Sequence, residues 1–417
     1  MKKFYCAQVL VFVSLSLLMH SNAEDHQAST LEWSQWLGPN RDGISLETNL
    51  LTEWEVNRPQ ILWRSSIGDG FSGISIANGR GYTMAAMGGK EYIYCFDILN
   101  GKEIWRLQSG EVYLDSMGGH GPRSTPTIEE NLLFTMSAHG KIYALDTRNG
   151  QEIWSHDLKR KFGGKTPRWG FSASPLVEEN LVLVEVGGGA NASLVAFDKN
   201  NGDIVWKSDN SKVGGYSSPI AITSYGIRQA IFFTGNYLVS VAPKDGKVYW
   251  KYPWETSYDV NASTPILIPG DKLFVSSGYG VGATTLQMKI KNESVDVEEV
   301  WRSKVMKNQF GTAVLHDNHL FGFDDRIFVC VNADTGEEMW KQRGYGQGTL
   351  ILADKHLIIL SDKGNLALAE ASPEGFKEKS SMQLLNGTCW TVPTLSDGKL
   401  YLRSMNEMVC LQITNGE

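Results

Sequence analysis

Seven residues of unlike chemistry stand at one repeated address in this chain. Arg123, Ser172, Tyr216, Ala262, Phe310, Gln347 and Trp390 each lie three places before the end of a small-residue phrase. The phrases are Ser124-Thr125-Pro126, Ala173-Ser174-Pro175, Ser217-Ser218-Pro219, Ser263-Thr264-Pro265, Gly311-Thr312-Ala313, Gly348-Thr349-Leu350 and Thr391-Val392-Pro393. His120, Trp169, Tyr258, Asp259, Asn261 and Gln309 fall close to the same addresses. An arginine, aromatic faces and amides gathered at one point suit a small anionic or sugar-like ligand, or a peptide loop. Arg123, Trp169, Tyr216, Asn261, Gln309, Gln347 and Trp390 are therefore the candidate ligand-binding residues. The same positions also read as solvated loop residues filling a channel, and His120, between glycines, as a surface histidine. No catalytic set accompanies them. The cysteine and histidine spacing does not make a zinc site, and there is no Gly-x-Ser-x-Gly nucleophile turn.

The elements that must position these residues announce themselves as a repeat. An alternating apolar run is followed by Asp, three residues, Gly, three residues and Trp. The copies include Tyr94-Cys95-Phe96-Asp97 with Gly101 and Trp105, Tyr143-Ala144-Leu145-Asp146 with Gly150 and Trp154, and Val195-Ala196-Phe197-Asp198 with Gly202 and Trp206. Gly246 with Trp250, Trp301 alone, and Asn332 with Gly336 and Trp340 are weaker copies. With Trp63 the tryptophans step by 39 to 52 residues, and one further step lands near Ser381, where the Trp is lost. That is the period of a four-stranded propeller blade. The alternation is a half-buried strand, Asp and Gly make the turn, and Trp on the next strand wedges between sheets. Gln60-Ile61-Leu62-Trp63-Arg64 is a strand with no blade before it, while the chain ends on a blade lacking its fourth strand. Pairing the two closes an all-β, eight-bladed propeller of four-stranded antiparallel blades. The small-residue phrases then begin the innermost strands, and the seven addresses face the mouth of a central channel.

The remaining features set the boundaries. Lys2 and Lys3, the apolar run from Val9 to Met19 and Ser21-Asn22-Ala23 read as a signal peptide over residues 1–23. The run is too short to span a bilayer, and Cys6 precedes it, whereas a lipoprotein cysteine would follow. We expect a periplasmic or secreted protein without a transmembrane segment after cleavage. Residues 24–59, with Trp33, Trp36 and Trp54, form an N-terminal arm packing on the propeller of residues 60–414. The charge of −7 without a basic cluster argues against nucleic acid. Cys95, Cys330, Cys389 and Cys410 remain in the mature chain. Cys389 and Cys410 fall two strands apart, beyond disulfide reach, and we expect four free thiols.

The repeat phrase resembles the PQQ-like repeat of quinoprotein dehydrogenases and of the assembly lipoprotein BamB. The opening Trp33-Ser34-Gln35-Trp36-Leu37-Gly38-Pro39-Asn40-Arg41-Asp42-Gly43, with Leu51-Thr52-Glu53-Trp54 and Leu62-Trp63-Arg64, is similar to exported PQQ-like repeat proteins of planctomycete type. Together the resemblances span about residues 33 to 413. They imply the propeller but little about activity, since a fold hosts many functions. The dehydrogenases carry a vicinal cysteine pair and an Asp base beside calcium; this chain has no adjacent cysteines and no matching calcium set. The expectation is thus a non-catalytic binding or scaffold protein, a monomer, with an envelope protein or small polar ligand as partner and no cofactor. The alternative is a PQQ-dependent dehydrogenase with a divergent site, the quinone stacked on Trp169 or Trp390 and held by Arg123.

Overall fold

The computed structural model describes Met1 and residues 32–188, 192–211, 213–291 and 294–415. Apart from Met1, the expected signal peptide lies outside them. Eight sheets, each with four antiparallel strands, follow one another round a ring, and in blade seven the N-terminal strand Ile44–Ser45 adds a fifth, parallel to Thr349–Ala353. Blade one comprises Ser75–Ala77, Arg80–Met87, Lys90–Asp97 and Glu103–Glu111, and its innermost strand touches those of blades two and eight. Blade eight is composite. Its strands Thr394–Ser396, Lys399–Arg403 and Glu407–Gln412 come from the C-terminus, and its outer strand Gln60–Ser66 comes from the N-terminus. The two halves pair antiparallel, Trp63 opposite Cys410, so the ring closes as expected from the complementary ends.

The Asp-Gly-Trp phrase explains how blades lock. Asp97 Oδ1 accepts from the Leu99 N–H, and Asp146 and Asp198 do the same for Arg148 and Asn200. Each Gly takes positive φ, and the indole of the preceding blade lies against it: a Cβ on Gly150 would meet Trp105 at 2.5 Å. The indole N–H then donates across the seam, from Trp105 to Thr147 O at 3.0 Å and from Trp154 to Lys199 O at 3.0 Å. Directly opposite each Trp on the paired strand stands Cys95, Ala144, Ala196, Ser240, Thr285, Cys330 or Cys410. A small side chain there leaves room for the indole, which accounts for three of the cysteines. Cys95, Cys330, Cys389 and Cys410 are free and buried, and burial pushes each thiol up to about 12.

Blade five lacks the turn. Its third and fourth strands run as a long hairpin, Gly282–Lys291 and Ser294–Ser303. Trp250, with no turn carbonyl to meet, donates instead to Gln229 Oε1 at 3.0 Å. In blade seven the lost tryptophan falls on Ser380, whose pairing with Leu368 precedes the same strand irregularity seen beside the tryptophans. Here the N-terminal segment intervenes: the Trp54 N–H donates to Ser380 Oγ at 2.9 Å, and Trp54 is buried.

Candidate functional site

The leading ends of the innermost strands surround a cavity of about 300 Å³ on the ring axis. All seven repeated addresses line it: Arg123, Ser172, Tyr216, Ala262, Phe310, Gln347 and Trp390. Trp169 and Gln309 line it too, whereas His120, Tyr258 and Asp259 are not among the lining residues. Asn261 is also outside the lining, because its side chain is consumed below it. Its amide donates to Thr234 O and Gly235 O at 2.8 and 3.2 Å and to Trp254 O, and its oxygen accepts from Ser277. It holds a loop and has no donor left for a ligand. The eighth address is Phe71, ahead of Ser72-Gly73-Ile74, where Gly73 stands in place of the Thr, Ser or Val at the centre of the other phrases and hides the repeat.

The small-residue phrases form a belt beneath these residues. Thr125 Oγ1 accepts from Gly73 N–H, Ser174 Oγ from Thr125 N–H, and Ser218 Oγ from Ser174 N–H. Thr312 Oγ1 does the same for Thr264 N–H. Each hydroxyl thus satisfies a backbone donor of the blade before it, which a buried strand end requires.

A second set of residues, from ahead of the ring, closes the channel below the belt. The segment from Trp33 to Glu47 meets all eight blades. Trp33 bridges Ile76, the Ser34 carbonyl accepts from Ile128, and Trp36 Nε1 donates to Thr264 Oγ1 at 2.9 Å. Gly43 lies against Val314 and its carbonyl accepts from Leu352 N–H, and Glu47 accepts from Gly398 N–H. Blades three and four are held by Arg41, which donates to the carbonyls of Ser174, Pro175 and Pro219, to Thr127 Oγ1, and back to Gln35. Burial pulls the Arg41 guanidinium down to about 9, so it stays positive at neutral pH. Trp36 lines the cavity from this side. The channel is therefore a funnel with one mouth and a tryptophan floor.

The walls are aromatic. Phe71 and Trp390 stack with centroids 5.1 Å apart and planes 28° apart, and Phe310 reaches Trp390 at 4.8 Å. Across the mouth, Trp169 meets Tyr216 edge-on at 5.9 Å and Tyr258 at 6.3 Å. Arg123 is the one charged side chain in the lining, and it is already engaged. Its guanidinium donates to Gly121 O and Gly119 O, both at 2.7 Å, and to Asp115 Oδ2 at 3.2 Å, with both partners 11 % exposed. His120 Nδ1 accepts from the Asp115 N–H and fixes the same loop. Gln347 donates to Gln309 Oε1, which leaves the Gln309 amide N–H groups and the Gln347 carbonyl turned to other partners.

Glu185 supports the wall from behind. It is buried and accepts from the Gly215 N–H at 3.1 Å, next to Tyr216, and desolvation pushes its carboxyl up to about 8. The folded protein then holds a proton that the unfolded chain releases near pH 4.3. Stability is full below that value and falls as pH rises towards 8. Glu185→Gln keeps the acceptor and removes the titration. We expect melting temperatures to match near or below about pH 4 and the variant to be more stable near pH 8, by on the order of a few kcal/mol. Parallel melting curves for the two proteins across this window would refute it.

No curated protein matches the chain. Among solved structures, BamB from Moraxella catarrhalis superposes with a TM-score of 0.61 at 14% identity, over 85% of this chain and 100% of that one. A quinohemoprotein alcohol dehydrogenase from Pseudomonas putida gives 0.61 at 10% identity, over 93% and 81%. Sqt1 from Saccharomyces cerevisiae gives 0.58 at 10%, over 85% and 99%. At these identities the likeness is one of fold. The sequence profile of the family described as outer membrane protein assembly factor BamB matches residues 89–342 and 292–416. With its eight interlocked blades and its repeat phrase, the chain belongs to this BamB-type family of PQQ-like propellers.

Proposed function

We propose that this protein is an exported, non-catalytic binding propeller of the cell envelope, built from the arm of residues 24–59 and the ring of residues 60–414, which takes a ligand or a partner's side chain into the one-mouthed funnel. The observation that carries this reading is the chemistry of the lining. Among the described residues, no carboxylate, histidine or cysteine lines the cavity, so the hydroxyls that do line it, on Ser172, Ser218, Tyr216 and Tyr279, have no base beside them in the lining to activate them. What faces it is aromatic surface and amides, the makeup of a recognition site. The family's BamB-type description favours a partner in the envelope, and no helix of the described residues is long and apolar enough to cross a membrane.

The residues do not fit pyrroloquinoline quinone with calcium. The quinone bears three carboxylates, and the one arginine that lines the cavity is neutralised by Asp115. Calcium takes several oxygen ligands, largely carboxylates, and none lines this cavity. No group of three His, Cys, Asp or Glu able to hold a metal occurs among the described residues. We expect no binding in equilibrium dialysis of the mature protein against the quinone with calcium. Stoichiometric uptake accompanied by dye-linked alcohol oxidation would overturn the binding reading in favour of a dehydrogenase.

A further inference from the structure

We propose that the funnel binds a single uncharged sugar ring, with one face of the pyranose laid on the aromatic wall and adjacent hydroxyls on the Gln309–Gln347 pair. The inference deepens the binding reading above and rests on it. Four features of the site converge on this ligand class.

The first is size and closure. A cavity of about 300 Å³ with a tryptophan floor lies at the small end of ligand sites. It holds a ring or the end of a short glycan, and it offers no far exit through which a longer chain could thread. The second is the wall. Phe71, Trp390 and Phe310 pack on one another as one aromatic cluster in the lining. The electron-rich face of such a surface attracts the C–H groups that a pyranose presents on its flatter side.

The third feature is the arrangement of donors and acceptors. Because Gln347 donates to Gln309 Oε1, the two amide donors of Gln309 and the carbonyl of Gln347 have no protein partner among the described residues. Two neighbouring hydroxyls answer that pattern, one accepting and one donating. Ser218 Oγ accepts from Ser174 N–H and still has its own proton to give. An apolar ligand would leave these groups without partners, which is costly in a closed site.

The fourth feature is charge. Inside the lining an anion would need the Arg123 guanidinium, which is held by Asp115 and two carbonyls. A quaternary or primary ammonium would seek the aromatic faces at the mouth. Arg168 already lies over Trp169 and Tyr258, 5.1 and 5.0 Å from their centroids, and repels a second cation. A neutral polar molecule with an apolar face meets every condition.

The test is calorimetric titration of the mature protein with D-glucose, D-mannose, D-galactose and N-acetylglucosamine, alongside glucuronate and glucosamine as charged rings of the same shape. We expect at least one neutral sugar to bind at one site per chain, with the charged analogues about tenfold weaker or more. Tryptophan fluorescence should change with the same midpoint. Trp390→Ala should abolish the signal. Gln309→Ala, at a half-buried position that leaves the ring intact, should weaken binding about tenfold with an unchanged melting temperature. If every neutral sugar fails at high millimolar concentration, if the charged sugars bind equally well, or if Gln309→Ala binds as well as the parent, the proposal is wrong. An aromatic peptide that binds and is lost in Trp390→Ala would overturn the sugar while leaving the binding funnel standing. Quinone uptake with alcohol oxidation would overturn both.

Discussion

Arg403→Met is expected to cost about 3–5 kcal/mol of folding stability, the loss typical when one member of a buried charged network is removed. Arg403 is fully buried on the second strand of blade eight. It donates to Ser72 O and Met84 O at 3.0 Å each and to Thr83 Oγ1 at 3.1 Å, all in or just before blade one, and to Gly68 O at 3.5 Å. It also reaches the carbonyls of Ser404 and Met405 in its own blade. The residue thus ties the C-terminal part of the chain to the N-terminal part, beside the composite blade where the ring closes. Burial pulls its guanidinium down to about 10, so it is charged at neutral pH, and its acceptors are mostly backbone carbonyls. That decides the sign. A buried ion pair can be swapped whole for apolar residues at little cost, but carbonyls cannot be mutated away. Methionine keeps much of the volume and removes these donors; Ser72 O retains the Thr83 hydroxyl, while each carbonyl left bare that water does not reach costs about 1–3 kcal/mol. Arg403→Lys, with three donors on one point, should lose less than methionine. Denaturant unfolding measures the difference, and proteolysis should open the junction of Gln60–Ser66 with Glu407–Gln412 first. A midpoint shift worth under about 1 kcal/mol would mean that the carbonyls are satisfied by other means.

How much of this was legible beforehand follows from where each residue's partners lie in the chain. The Trp, Gly and Asp of the repeat find their partners at a fixed spacing, so ring, period and closure could be read without coordinates. The same regularity placed the seven addresses round the cavity. Arg123 reads as a free anion clamp only until Asp115, eight residues earlier, is seen to neutralise it; nothing in the spacing announces that pair. Asn261 reads as a ligand contact because amides in such loops often are, yet three carbonyls and Ser277 use it up. Trp36 and Arg41 were invisible as site residues for a different reason. They precede the repeat, and no register argument carries a residue from outside a ring to its axis. Ser380 shows the same limit on a smaller scale, where the repeat loses its Trp and the N-terminal segment brings Trp54 to the place.

Arg41→Met is the sharper probe of that segment, because the size of its effect separates two pictures of the floor. Arg41 is 3 % exposed and bonds carbonyls of three residues in or beside blades three and four, together with Thr127 in blade two. If the floor is rigid, losing these bonds costs about 2–4 kcal/mol, as several buried carbonyls are orphaned at once. Local release of the segment sets a ceiling on that cost, since a strained element can open without the domain unfolding. The ceiling is high. Trp33, Leu37, Leu50, Leu51 and Trp54 are all buried, and each side chain exposed on release loses about 1.5–3 kcal/mol. Undocking the whole segment is therefore dearer than tolerating the orphaned carbonyls, and the variant should keep Trp54 seated while the stretch around Trp36 loosens. Hydrogen exchange should show faster exchange at Gly43 and at Ile128, which bonds Ser34, with Leu51 and Trp54 still protected. A ligand held against the floor should bind at least tenfold more weakly. Uniform loss of protection from Trp33 to Trp54 would show that the segment detaches as one piece and that the funnel is open at both ends without Arg41. Unchanged protection at Gly43 and Ile128 would show that Trp36 and the backbone pairing hold the floor by themselves.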